Sequence, residues 1–215
     1  MEVKTLDLNG ITYIEPVTGG APDWYWGESF EHGDLYEAEE VFRAGGTVEG
    51  RHLCIIHYPD GAVYWPVPKQ PGTYPDNPVY WNGDIYLLNV IFPEDKLQIL
   101  RFRCDTRTTE LFKEFPLSLA KDCYNLRLDP DPLTITRQRC GTNEFEILWP
   151  EQVAFYMQDT ESFFLREGDR LYFSCWYEDP DYRDTVNVRN LQGELLEQLD
   201  GDLRVMPNGE VWWLR

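Results

Sequence analysis

Apart from its carboxylates, the residues of this chain that could do chemistry are few and scattered. His52 and Cys54 stand two apart, so on a strand they share a face while His57 turns to the other, and no three-ligand catalytic zinc set is assembled. With His32 these are all the histidines, which limits any His-dependent nucleophilic scheme to three positions. There is no G-x-S-x-G elbow, no G-x-x-x-x-G-K-[ST] loop and no H-E-x-x-H pair. Asp179, Asp181 and Asp184 offer oxygen ligands at close spacing, but their loop lacks the glycine and the closing glutamate of an EF-hand and reads as solvated. No catalytic residue, metal ligand or cofactor is assigned on these grounds.

Recognition is better supported than catalysis. Pro22-Asp23-Trp24-Tyr25-Trp26-Gly27 sits in the longest apparent loop, and in an extended stretch Trp24 and Trp26 point to the same side. Together with Tyr74, Tyr156, Asp179, Asp181 and Tyr182 they are expected to form one aromatic surface rimmed by carboxylates. Such a surface could stack on sugar rings or hold Lys and Arg side chains. The competing reading is that these rings only plug the loops into the body of the fold.

The elements that must position these residues are legible in the turns. Gly33-Asp34-Leu35-Tyr36 and Gly83-Asp84-Ile85-Tyr86 lie 50 residues apart, and Gly168-Asp169-Arg170-Leu171-Tyr172 follows 85 residues later. Asp34, Asp84 and Asp169 therefore read as equivalent turn positions that accept backbone hydrogen bonds within hairpins. A second series, Asn9-Gly10, Asp60-Gly61, Asp105 to Thr108, Gly141 to Asn143 and Leu191 to Gly193, alternates with the first once Asp129 to Pro132 and Asn208-Gly209 are added to it. Pro16, Pro66, Pro116 and Pro150 end strands that leave four of these turns, as edge strands feeding crossing loops would.

Alternating turns of two kinds make four-stranded meanders, and 215 residues divided into five units gives 43 each, the length of a propeller blade. The chain resembles β-propeller repeat proteins in general, and Asp105-x-x-Thr108 is faintly similar to a kelch turn. The expected fold is all-β, one domain over residues 1–215, a five-bladed β-propeller whose last blade is closed by N- and C-terminal strands. A β-sandwich or barrel is the alternative architecture.

Composition bounds the partners. Thirty-eight acidic against 19 basic residues give a net charge of −19, a field that repels nucleic acid and anionic lipid, so neither is expected as a partner. The five cysteines are odd in number and form no C-x-x-C pair, which fits buried reduced thiols and, with no apolar leader at the N-terminus, a cytoplasmic protein. The functional expectation is a non-catalytic binding module for a protein, peptide or glycan ligand, with carbohydrate binding or glycoside processing as the alternative.

Overall fold

The computed structural model describes residues 3–29, 33–139 and 141–215; His32 and Cys140 lie outside them. In chain order the strands are β1 (Glu15–Pro16), β2 (Trp24–Glu28), β3 (Leu53–His57), β4 (Ala62–Tyr64), β5 (Thr73–Pro75), β6 (Val79–Trp81), β7 (Asp84–Ile91), β8 (Lys96–Arg103), β9 (Thr108–Pro116), β10 (Arg127–Asp129), β11 (Thr134–Arg139), β12 (Glu144–Trp149), β13 (Val153–Tyr156), β14 (Glu161–Glu167), β15 (Arg170–Tyr177), β16 (Arg183–Arg189), β17 (Leu195–Asp200), β18 (Asp202–Val205) and β19 (Val211–Leu214). One α-helix, α1 (Leu35–Arg43), interrupts the series between β2 and β3.

The strands form antiparallel meanders arranged as propeller blades: β1 to β4, β5 to β9, β10 to β13 and β14 to β17. In the second blade β5 and β6 act as one broken strand. Both pair with β7, at opposite ends, and the ladder fails between them at Asp76-Asn77-Pro78, where proline has no N–H to give. The turns behave largely as their residue types dictate. Asn82-Gly83 and Asn208-Gly209 each reverse the chain between paired strands, and both Asn82 and Gly83 adopt the positive φ that such tight turns require.

The structure corrects the blade count to four. The fifth unit is a two-stranded hairpin in which β18 pairs with β19 and with no other described strand. The N-terminal chain that ring closure required is used elsewhere: residues 3–14 form no strand, and Ile11 packs with Cys54 and Ile56 on the first blade, with Leu6 and Leu8 alongside. Where the two ends of the ring meet, Gly20 and Gly209 approach closely enough that a Cβ on either would lie within 3.3 Å of the other's backbone. That is a loop contact, not a sheet ladder.

A second correction lies at Gly33-Asp34, which does not join two strands. Asp34 is the N-cap of α1: its carboxylate accepts the N–H of Glu37 at 2.8 Å while the Glu37 carboxylate accepts the N–H of Asp34 at 3.1 Å. This reciprocal box, an acid three residues after the cap, nucleates a helix where a hairpin was expected. Leu35, Ala38 and Glu39 form its buried face. Asp84, by contrast, does accept a backbone N–H, from Cys104 at 2.8 Å, and also pairs with Arg101. Asp169 is exposed.

Apolar residues are buried mainly between blades. Trp24, Trp26, Leu53 and Ile55 of the first blade meet Ile85, Leu87 and Phe102 of the second. Leu88, Leu97 and Ile99 of the second meet Leu128 and Ile135 of the third, with Leu35 and Ala38 of α1 added. Phe145 and Ile147 of the third meet Phe163 and Phe173 of the fourth through tilted and edge-on ring contacts.

Candidate functional site

In a propeller the first strand of each blade lines the axis, so the residues just before each blade's first turn face the centre. Here they open a cavity of about 830 Å³. Every unit of the ring contributes to it: Glu15, Thr18, Gly19 and Trp26 from the first blade, Asn77 to Val79 from the second, Arg127 to Asp131 from the third, Phe164 to Glu167 and Tyr172 from the fourth, and Leu203, Val205 and Val211 from the hairpin. A smaller cavity of about 270 Å³ lies beneath the start of α1, walled by Asp34, Tyr36, Asp76, Asn125, Gln138 and Ser162 among others. Asn77 and Arg127 belong to both walls, so the two cavities meet at these side chains.

Arg127 is fixed at that junction by partners on two blades. Its Nε lies 2.9 Å from Asp129 Oδ1, its Nη2 donates to the carbonyls of Phe163 at 3.2 Å and Phe164 at 3.4 Å, and its guanidinium lies over the Phe163 ring. Asp129 also accepts the Thr136 hydroxyl at 2.5 Å. Burial pushes the Asp129 carboxyl up from the usual range, against the pull of Arg127.

The rim of the larger cavity is acidic. Arg166 is already committed, donating to the Gly168 carbonyl at 2.7 Å and pairing with Glu151 at 2.5 Å. Glu167 accepts the Tyr172 hydroxyl at 2.9 Å. Among the described residues no Lys or Arg forms an ion pair with Glu15, Asp131 or Glu167, whereas Asp129 and Glu151 each have one. These three carboxylates without a cationic partner, beside Trp26, Phe164 and Tyr172, can take a cation whose apolar stem lies along the rings.

No protein-family model matches this chain, and no curated protein is similar to it. The arrangement of its side chains therefore carries the functional reading.

An ion cluster behind the smaller cavity ties the first two blades together. Glu28 at the end of β2 pairs with Arg51, whose guanidinium also lies 3.6 Å from Asp76 and over the Tyr74 ring. Burial raises the Glu28 carboxyl to about 7, with the nearby Arg51 opposing the shift. Asp76 is raised for the same reason.

The residues expected to share one exposed face are dispersed. Trp24 and Trp26 lie in β2, at 6% and 5% exposure, with the Trp24 ring packed on His57, Phe102 and Arg107. Tyr74 is buried in β5 and its hydroxyl donates to the Gly33 carbonyl at 2.5 Å. Tyr156 lies exposed on β13, an outer strand, while Asp179, Asp181 and Tyr182 lie together in the exposed turn between β15 and β16, Tyr182 edge-on to Trp176. Of the aromatic set only Trp26 reaches the axial cavity.

The residues that do line the axis, Glu15, Arg127, Asp129, Asp131 and Glu167, had a usable signal. Each of the last four flanks a first turn of a blade, at Asp129 to Pro132 or Gly168-Asp169. Among the described residues the cysteines and histidines add no competing centre. Cys54, Cys123 and Cys175 are buried free thiols and Cys104 is partly buried, with burial pushing Cys54 and Cys104 up to about 11. His57 faces Asp60 at 3.0 Å, and His52 packs edge-on to Trp65. No described helix is long and apolar enough to cross a membrane.

Proposed function

We propose that this protein is a non-catalytic binding module that takes a basic peptide segment into its axial cavity. The carrying observation is the cavity of about 830 Å³ with Glu15, Asp131 and Glu167 at its wall, none of them in an ion pair with a described Lys or Arg. A Lys or Arg side chain entering from the solvent would meet carboxylates, while its methylene stem would lie against Trp26, Tyr172 and Phe164. The net charge of −19 adds long-range attraction for such a ligand.

The test is calorimetric titration with a Lys- and Arg-rich decapeptide and with its Glu-substituted counterpart. The basic peptide is expected to bind at low ionic strength and to weaken as salt rises past about 0.1 M. The acidic peptide should not bind, and Glu15→Gln combined with Asp131→Asn and Glu167→Gln should weaken the basic one by about tenfold or more. Absence of basic-peptide binding by a folded protein at low salt would remove this reading.

A specific observation favours carbohydrate as the second reading. The smaller cavity is walled by amides, a hydroxyl and carboxylates, Asn77, Asn125, Gln138, Ser162, Asp34 and Asp76, with the ring of Tyr36 beside them. Amide-rich walls with an aromatic platform suit a sugar ring. Glycan-array binding abolished by Asn77→Ala and Gln138→Ala, with no basic-peptide binding, would favour it over the first.

A further inference from the structure

We infer that the open edge of β19 is a self-association surface, where β19 pairs antiparallel with β19 of a second copy of this chain about a two-fold axis. Each of the four blades has at least four strands, whereas the hairpin has two, and β19 has no strand partner on its outer side among the described residues. Two hairpins joined through β19 would make one four-stranded sheet, the width of the other blades.

The backbone is turned the right way for this pairing. Met206 N–H donates to the Glu210 carbonyl at 2.7 Å, and the register pairs Arg204 with Trp212 and Asp202 with Leu214. Antiparallel ladders alternate, so Glu210, Trp212 and Leu214 direct their main-chain groups to β18, while Val211 and Trp213 direct theirs to the open edge. A two-fold axis through Trp213 satisfies the same alternation in the second copy, placing Trp213 opposite itself and Trp212 opposite Leu214.

Composition and charge identify the occupant. Trp212 is 52% exposed and Trp213 43%, with Val211 and Leu214 similarly open, so all four residues of this edge strand are apolar and about half exposed to water. The strand and its hairpin are electrically neutral: residues 201–215 carry Asp202 and Glu210 against Arg204 and Arg215, in a chain of net charge −19. Two equally acidic molecules can meet with least repulsion at such a neutral patch. A basic protein partner would instead be drawn to the acidic remainder of the surface. Isologous pairing of β19 with itself also closes at two copies and leaves no free β19 edge for a third.

The experiment is sedimentation of the full chain over about 1 to 100 µM, the range in which a micromolar dimer would titrate. A monomer–dimer equilibrium is expected, and raising salt from about 20 mM to about 500 mM should strengthen it, because screening removes the repulsion between acidic copies while leaving apolar strand pairing intact. Val211→Pro removes one outward N–H without touching the ladder to β18, and Trp212→Lys places a charge at the paired edge. Each variant is checked for the wild-type melting transition, and at least one that retains it should be monomeric throughout. Monomeric wild-type protein at every concentration and salt would overturn the inference and leave the edge to a different partner. A dimer that persists in both folded variants, or that dissolves as salt rises, would overturn it as well.

Discussion

Arg127 and Asp129 pair at 2.9 Å on the first strand of the third blade, two residues apart on the same face, with Arg127 at the point where the larger and smaller cavities meet. Arg127 also holds the carbonyls of Phe163 and Phe164, so the ion pair lies inside a tie between the third and fourth blades. The Arg127 side chain is 40% exposed but Asp129 is buried, so removing Arg127 leaves a buried carboxylate uncompensated. Arg127→Met is therefore expected to cost about 2 to 4 kcal/mol, while the double change Arg127→Met with Asp129→Leu should recover part of that loss. Chemical denaturation of the three proteins measures it.

Deeper in the fourth blade, Glu161 accepts Arg189 through both oxygens, at 2.9 and 3.0 Å, and also Asn187 at 2.7 Å and the Gln158 N–H at 2.7 Å. Four donors converge on one buried carboxylate. Glu161→Gln should destabilise the protein by about 3 to 5 kcal/mol, because an amide cannot accept from all of them and Arg189 loses its counter-charge. A fall in the thermal midpoint much larger than that of an exposed acid-to-amide change such as Glu178→Gln is the expected reading.

Glu28 links stability to pH. Burial disfavours the charge and pushes its folded carboxyl up to about 7, from the usual 4.5. A raised carboxyl keeps its proton in the folded state, so Glu28's contribution is fully present below about 4.5 and is lost as pH rises toward and through 7. Glu28→Gln mimics the protonated side chain. The variant should lose less stability than the wild type between pH 5 and pH 8, by on the order of 1 to 3 kcal/mol in urea unfolding. Identical pH profiles would show that Glu28 carries no such shift.

The aromatic residues separate into two classes by burial. Trp24→Ala and Trp26→Ala remove rings packed between the first and second blades and should each cost about 3 to 5 kcal/mol. Tyr156→Ala and Tyr182→Ala remove rings that are 73% and 69% exposed and should change stability by less than about 1 kcal/mol. Melting curves of the four single variants measure the contrast.

Much of the architecture was legible because turn residues act locally. Asp60-Gly61, Asn82-Gly83, Asp129 to Pro132, Gly168-Asp169, Leu191 to Gly193 and Asn208-Gly209 all reverse the chain between paired strands. The alternation of turns breaks in the first blade, where the turn between its first two strands is carried by Gly19-Gly20 and Gly33-Asp34 starts a helix. Glu37, three residues after Asp34, was the local signal for that helix. The slip moved Trp24 and Trp26 from a strand into a supposed loop, and the expected aromatic face followed from it. The blade count failed for a different reason. Whether the last hairpin recruits the N-terminal chain depends on competition with the first blade for Leu6, Leu8 and Ile11, which turn residues do not record.

Entry of a ligand along the axis is read most directly by hydrogen exchange of the protein with and without the basic decapeptide. Protection is expected at 15–19, 77–79, 127–131 and 164–167, the segments that wall the larger cavity. Protection confined to the 178–184 turn or to the outer strands β9, β13 and β17, with the axial segments unchanged, would contradict it.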